Sequence, residues 1–207
     1  RLSAERPELL DAQLEALSIA AKETGADVRV MAPMVATVEE AAWFARRVRE
    51  NGLPKGGVMI EVPAAALRSA HVLAEVEFGS IGTNDLAQYT MAADRMQGEL
   101  SDLLDPWQPA VLDVVAAACE GAASTGRPMG VCGESAGDPL LALVLTGLGV
   151  SSLSMAPSKV PVVRLALSLH SLPECQGIAA AARAAATARE ALEAVRELAR
   201  DELTDLL

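Results

Sequence analysis

Short runs of apolar residues, each followed by a longer amphipathic stretch, set the rhythm of this chain. The runs cover residues 27–31 (DVRVM), 57–62 (GVMIEV), 78–81, 129–132 and 153–156. They are apolar at consecutive positions, as strands covered on both faces of a parallel sheet must be. Helical periodicity fills the intervals, over 7–24, 37–51, 64–76, 109–124, 138–148 and 158–170. Pro7 suits a first helical position and Gly25 a helix stop. Thr37-Val-Glu-Glu40 is a capping box, and Asp138-Pro139 is an N-cap and first-turn pair. Ser3 and Ser158 read as caps or turn formers, and 100–108 as a loop. From residue 174 onward there are two Ala-rich helices with no strand signal. Their apolar stripe (Leu192, Val195, Leu198, Leu203) is expected to pack on the body of the same 207-residue domain.

One helix, five β-α units and a helical tail predict an α/β fold, either doubly wound or a (β/α)8 barrel of the TIM type. No Gly-x-Gly-x-x-Gly follows any run, which argues against a dinucleotide site. Five units are too few to close a barrel. Half of the residues are hydrophobic but only 2% are aromatic, so the core is built from Ala, Val, Leu, Ile and Met. Met31, Met34, Met59, Met91, Met129 and Met155 fall near strand ends, where Met fills irregular gaps. The net charge of −11, without a basic patch, sets nucleic acid aside. An anionic ligand must then be captured by local arginine or metal. The three widely spaced cysteines read as reduced thiols of a cytoplasmic protein. No stretch reads as a membrane span or a signal peptide.

In either architecture the C-terminal strand ends form the site, and here they are polar. They carry Glu61, then Asn84-Asp85, then Cys132-Gly-Glu134, then Ser154. Glu61 interrupts an apolar run, where a charge costs several kcal/mol unless it is paired or metal-bound. Asn84, Asp85 and Arg95 are expected on a loop that begins at Gly82. An amide, a carboxylate and a guanidinium so close together suit a metal-bound anion. Arg29 is placed within the first strand, as a partner for Glu61 or Glu134 or as a ligand contact. Cys132, between Gly130 and Gly133, reads as a thiol facing the site. Cys119 and Cys175 have no role, and His71 and His170 are surface or packing residues.

Three segments carry a resemblance. They are Gly57-Val-Met-Ile-Glu-Val-Pro-Ala-Ala-Ala66, Ser80-Ile-Gly-Thr-Asn-Asp-Leu-Ala-Gln-Tyr-Thr90 with Ala93-Asp-Arg95, and Gly130-Val-Cys-Gly-Glu-Ser-Ala-Gly-Asp-Pro139. Together they resemble the phosphoenolpyruvate-binding barrel of the enzyme I family, the phosphoenolpyruvate–protein phosphotransferases of bacterial sugar uptake. Met31-Ala-Pro-Met34 and Leu153-Ser-Met-Ala-Pro157 fit the same family. Pyruvate phosphate dikinase and phosphoenolpyruvate synthase share the barrel, but Gln88-Tyr-Thr90 and Ser135-Ala-Gly-Asp-Pro139 are closer to enzyme I. The resemblance implies that Glu61 and Asp85 bind Mg2+ and that Asn84 and Arg95 hold the phosphate and carboxylate of phosphoenolpyruvate. It makes Cys132 the acid that protonates the enol carbon as pyruvate leaves. It further implies a homodimer through the barrel, and a histidine-containing phosphocarrier protein that meets a separate N-terminal domain. Three β-α units with further phosphate-binding arginines would precede this chain, and Arg1 resembles the second arginine of a Gly-x-Arg-x-x-Arg segment. Two classes of function follow: a phosphotransferase's substrate-binding half, or a dimerisation scaffold that is inactive without those arginines.

Overall fold

The computed structural model describes residues 2–206. After a short helix α1 (Leu2–Glu5), helix α2 (Pro7–Thr24) runs to Gly25 as its sequence predicts. Strand β1 is only Val30–Ala32, and α3 (Val38–Glu50) follows behind the Thr37–Glu40 capping box, with both reciprocal bonds made. Arg47 pairs with Asp11, which ties α3 to α2. Strand β2 (Gly56–Ile60) ends before Glu61. The helix expected at 64–76 breaks at Arg68 into α4 (Pro63–Leu67) and α5 (Ser69–Ala74). Strand β3 (Phe78–Gly82) passes without a spacer into α6 (Thr83–Met91). The loop expected after Gly82 is therefore a helix, and Asn84 and Asp85 stand on its first turn.

A 3-10 helix (Gly98–Leu104) occupies the expected loop and leads to α7 (Pro109–Thr125) and β4 (Met129–Cys132). Asp138 then caps α8 (Pro139–Gly147), its carboxylate accepting from the Leu140 and Leu141 amides at 2.8 and 3.0 Å. Strand β5 is reduced to Ser152–Leu153, and α9 (Val160–Leu169) follows a 3-10 turn at Pro157–Lys159, inside which Ser158 makes no cap. Ser3 likewise sits inside α1 rather than capping it. The tail forms α10 (Leu172–Ala184), α11 (Ala188–Leu198) and α12 (Asp201–Thr204).

The five strands are parallel and lie in the order β1-β2-β3-β4-β5. That order never reverses, so the described strands lack the switch point of a doubly wound sheet. Among the described residues the sheet is not closed. Its two faces differ. Val58, Ile60, Ile81, Met129 and Val131, all fully buried, face α3, α4, α5 and α7 in one core. By the two-residue alternation of a strand, Met31, Met59, Ser80, Cys132 and Ser152 point the other way. There Met31 and Ser152 are exposed, and Met59 and Cys132 half-buried. Gap filling by methionine thus holds for Met129, whereas Met31 and Met34 are exposed.

Helix α8 is apolar all round because it is covered on both sides. Leu145 belongs to the sheet core. Leu140, Leu141, Leu143 and Val144 meet Cys175, Ile178 and Ala182 of α10, with Val195 and Leu203 behind. The tail therefore packs on the body as expected, although Leu198 of its stripe is exposed. His170, buried at the end of α9, donates through Nδ1 to the Ala166 carbonyl at 2.8 Å. Its Nε2 accepts from the Arg200 amide at 3.1 Å, so it is a packing residue. Among the described residues no helix is long and apolar enough to cross a membrane.

Candidate active site

Parallel strands bring their C-terminal ends to one edge, and the polar residues singled out in the sequence meet there. Glu61 follows β2 and is 5% exposed. Its Oε2 accepts the Met34 backbone N–H at 2.8 Å. Gly82, at the end of β3, closes the other side. A Cβ there would stand 2.6 Å from Glu61 Cγ and 2.7 Å from Oε1, so only glycine fits. Burial pushes the Glu61 carboxyl above the ordinary range. The Met34 N–H pulls it back, the Asp85 charge raises it and Arg95 lowers it. Two carboxylates and a guanidinium therefore share one field.

Asp85 faces Arg95, Oδ2 to Nη1 at 3.5 Å, with Arg95 half-exposed. Arg95 lies beyond the end of α6, where Ala92 takes a left-handed conformation (φ 52°). The Arg95 backbone N–H donates to Gln88 Oε1 at 3.0 Å, which folds its segment back against the helix. Asn84, exposed on the first turn, stands where helical N–H groups favour an anion. Cys132 closes β4 directly opposite Gly82 in the register. Ser80 Oγ donates to its sulfur at 3.4 Å, and the thiol faces the Ile81 carbonyl at 3.6 Å. Gly133 follows with φ 109°, a conformation that side chains disfavour, and a Cβ there would meet Thr83 Oγ1 at 2.9 Å.

Beside this edge lies a cavity of about 1020 Å3. Asn84, Arg95, Gly133 and Glu134 line it together with apolar Leu112, Val115, Leu141 and Leu145, whereas Glu61, Asp85 and Cys132 do not. Glu134 and Ser154 are exposed. Arg29 is a correction. It precedes β1, is exposed, and pairs with Asp27 (3.1 Å) rather than with Glu61 or Glu134. Hydrogen bonds from Lys55 and Arg29 lower the Asp27 carboxyl from its usual range, in a surface cluster. Burial raises the Cys119 thiol to about 12 and also raises Cys175, which keeps both protonated and inert. His71 is exposed beside Arg68. Arg1 lies outside the described residues. Met34, Ser80 and Gly82 also stand at this edge; the sequence marked Met34 as a gap filler, Gly82 as a chain break and Ser80 only within a motif, and gave none of them a place in the site.

Among the described residues no group of three or more His, Cys, Asp or Glu side chains gathers to hold a metal. What converges is a pair of hard oxygen donors, Glu61 and Asp85, with Glu61 Oε2 tied to Met34. Magnesium commonly takes one or two protein carboxylates and completes its shell with water and substrate oxygens. The donor set fits that habit.

The sequence model of a family described as "PEP-utilising enzyme, PEP-binding domain" matches residues 1–171. The chain is 55% identical over 193 residues to the phosphoenolpyruvate-protein phosphotransferase of Streptomyces coelicolor, covering 93% of this chain and 35% of that protein. It is 43% identical over 205 residues to the multiphosphoryl transfer protein of Xanthomonas campestris, covering 95% and 24% respectively. The match to the phosphoenolpyruvate-protein phosphotransferase of Bacillus subtilis is 35% over 209 residues, or 95% and 36%. The chain thus spans about a third or less of the length of these relatives.

Proposed function

Because the chain belongs to the PEP-utilising enzyme family, matching its PEP-binding domain, we propose that it is the phosphoenolpyruvate-binding domain of a phosphotransferase. That enzyme passes the phosphoryl group to a protein histidine and releases pyruvate. The observation that carries this reading is the convergence of Glu61, Asp85 and Arg95 at neighbouring strand ends, with the Cys132 thiol across from Gly82.

Arg95 and the amide of Asn84 bind the phosphate and carboxylate oxygens of the substrate, Arg95 through its planar fork. Glu61 and Asp85 would hold Mg2+, which when bound offsets negative charge on the phosphoryl oxygens. When the C–O–P bridge breaks on the phosphorus side, the phosphoryl group goes to an imidazole nitrogen outside this chain and an enolate remains. Cys132 S–H gives its proton to the methylene carbon of that enolate, which becomes the methyl group of pyruvate. Ser80 O–H, already donating to the sulfur, stabilises the thiolate left behind. The phosphocarrier protein is the next acceptor after the histidine, and the domain is a homodimer contact.

The fold is part of a (β/α)8 barrel. Its support is the sequential parallel order and the second face of the sheet, where Met31 and Ser152 are exposed and which upstream strands would enclose by pairing beside β1. The test is calorimetric titration of phosphoenolpyruvate with and without Mg2+. Binding that requires Mg2+ and disappears in Asp85→Ala is expected. No binding of phosphoenolpyruvate, with or without Mg2+, would overturn the reading in favour of a scaffold.

A further inference from the structure

Among the described residues, only Met34 and Ala92 have positive φ without being glycine, at 57° and 52°. The left-handed region is uncommon for such residues, and strain of this kind collects at functional sites. Both residues adjoin the strand-end cluster. Ala92 turns the chain at the end of α6 toward Arg95. Met34 follows Pro33 just beyond β1, and its N–H donates to Glu61 Oε2 at 2.8 Å.

Glu61 has few other ways to be held. It is buried, with the tail of its side chain pressed against Gly82, and among the described residues its hydrogen bond is the one from Met34. The chain is anchored before Met34 by β1 and after it by α3. With both sides fixed, a negative φ at Met34 has to be compensated at Pro33, which turns the Pro33–Met34 peptide and withdraws the donor. The Met34 side chain is 39% exposed, so packing of the side chain does not explain the conformation.

We propose that Met34 is a positioning residue, held in a strained left-handed conformation so that its backbone N–H fixes Glu61 Oε2 and with it the orientation of the carboxylate that would hold the ion. The inference rests on the reading of Glu61 as a Mg2+ ligand. It assigns to the first strand end a role made by backbone geometry rather than by side-chain chemistry. Removing the partner that orients a metal-binding side chain commonly lowers metal affinity ten- to a hundredfold.

The test compares Met34→Ile, Met34→Gly and Glu61→Ala in the full-length protein. Ile resists positive φ because it is β-branched, whereas Gly adopts it freely and keeps the N–H. Met34→Ile is expected to raise the Mg2+ concentration for half-maximal phosphoenolpyruvate turnover ten- to a hundredfold. Met34→Gly should stay within about threefold of the unaltered protein. Amide hydrogen exchange at Met34, measured without Mg2+, should be slow in the unaltered protein and fast in Glu61→Ala. Equal Mg2+ requirements in Met34→Ile and the unaltered protein, with equal thermal midpoints, would overturn the proposal. So would a Met34 amide that exchanges equally fast with and without the Glu61 carboxylate. An unaltered protein that ignores Mg2+ would instead remove the functional reading, and the exchange comparison would still decide whether the clamp exists.

Discussion

The two faces of the sheet are made from the same strands, with alternate residues assigned to each. On one, Ile60, Ile81 and Val131 are sealed under helices and have only packing to do. On the other, Ser80 and Cys132 touch across strands, and Glu61 stands at the rim in the company of Asp85. Residues 80 and 81 are neighbours in the chain yet belong to different economies. The lesson is that this fold separates stability from chemistry by parity along a strand. The sealed face supplies the free energy that lets the other face carry a buried carboxylate and a thiol, groups that gain little from folding.

The strongest way to break this division is to alter one residue from each face. Cys132→Ala is expected to reduce pyruvate formation by about 10²–10⁴-fold, the usual worth of a positioned proton donor. Phosphoenolpyruvate binding and the thermal midpoint should hardly change, since the thiol is only half-buried. Ile81→Ala should cost about 2–5 kcal/mol of stability, because it empties a fully buried position. Turnover per folded molecule should then stay near that of the unaltered protein. Denaturant melts and steady-state rates on both variants decide it. A large rate loss in Ile81→Ala without unfolding would mean that the faces are coupled.

Much of this division was legible in the sequence. The apolar runs located all five strands, and Glu61 stood out because a carboxylate has no business inside such a run. The misreadings have specific causes. Gly82 is at once the last strand residue and the N-cap of α6, so no turn residues marked the passage and Asn84 and Asp85 were expected on a loop. Arg29 was placed in a strand that starts one residue later. Asp27 holds it at the surface, and Lys55 fixes Asp27 there in turn, a pairing between positions 28 residues apart that periodicity does not encode. The role of Met34 gave no signal, since methionine has no preference for positive φ. Ser80 was hidden because a lone serine in a strand is unremarkable until its cross-strand partner is known.

A smaller effect sharpens the cost of the inner face. Burial raises the Glu61 carboxyl in the folded state, chiefly by removing water from its charge. The folded protein therefore holds its proton more tightly than the unfolded chain, whose value lies near about 4.3. Stability contributed by that protonation is present below the unfolded value and is lost as pH rises through the raised folded one. Glu61→Gln keeps an oxygen for the Met34 N–H and removes the charge. In Mg2+-free buffer it should raise the thermal midpoint at pH 7 and give no gain below about pH 4. A midpoint that falls at pH 7 would show that the carboxylate is favourably held without metal, contrary to the cost assigned to it.

The smallest effect concerns a carboxylate that shares the edge without sharing the chemistry. Asp138 follows Cys132 by one short turn and lines the same cavity as Asn84 and Arg95, so position alone would enrol it in the site. Its bonds say otherwise. Oδ1 accepts from the Leu140 and Leu141 amides, the first free donors of α8, and α8 is the helix clamped between the sheet core and the tail. Asp138→Ala should cost about 1 kcal/mol, the ordinary worth of an N-cap, and Asp138→Asn or Asp138→Ser should recover most of it. Phosphoenolpyruvate affinity and its Mg2+ requirement should be the same in all three. If Asp138→Asn restored the midpoint but not the affinity, the charge at this position would be part of the site. The boundary would then lie not between the two faces of the sheet but between its two ends, with every carboxylate at the C-terminal edge committed to the ligand.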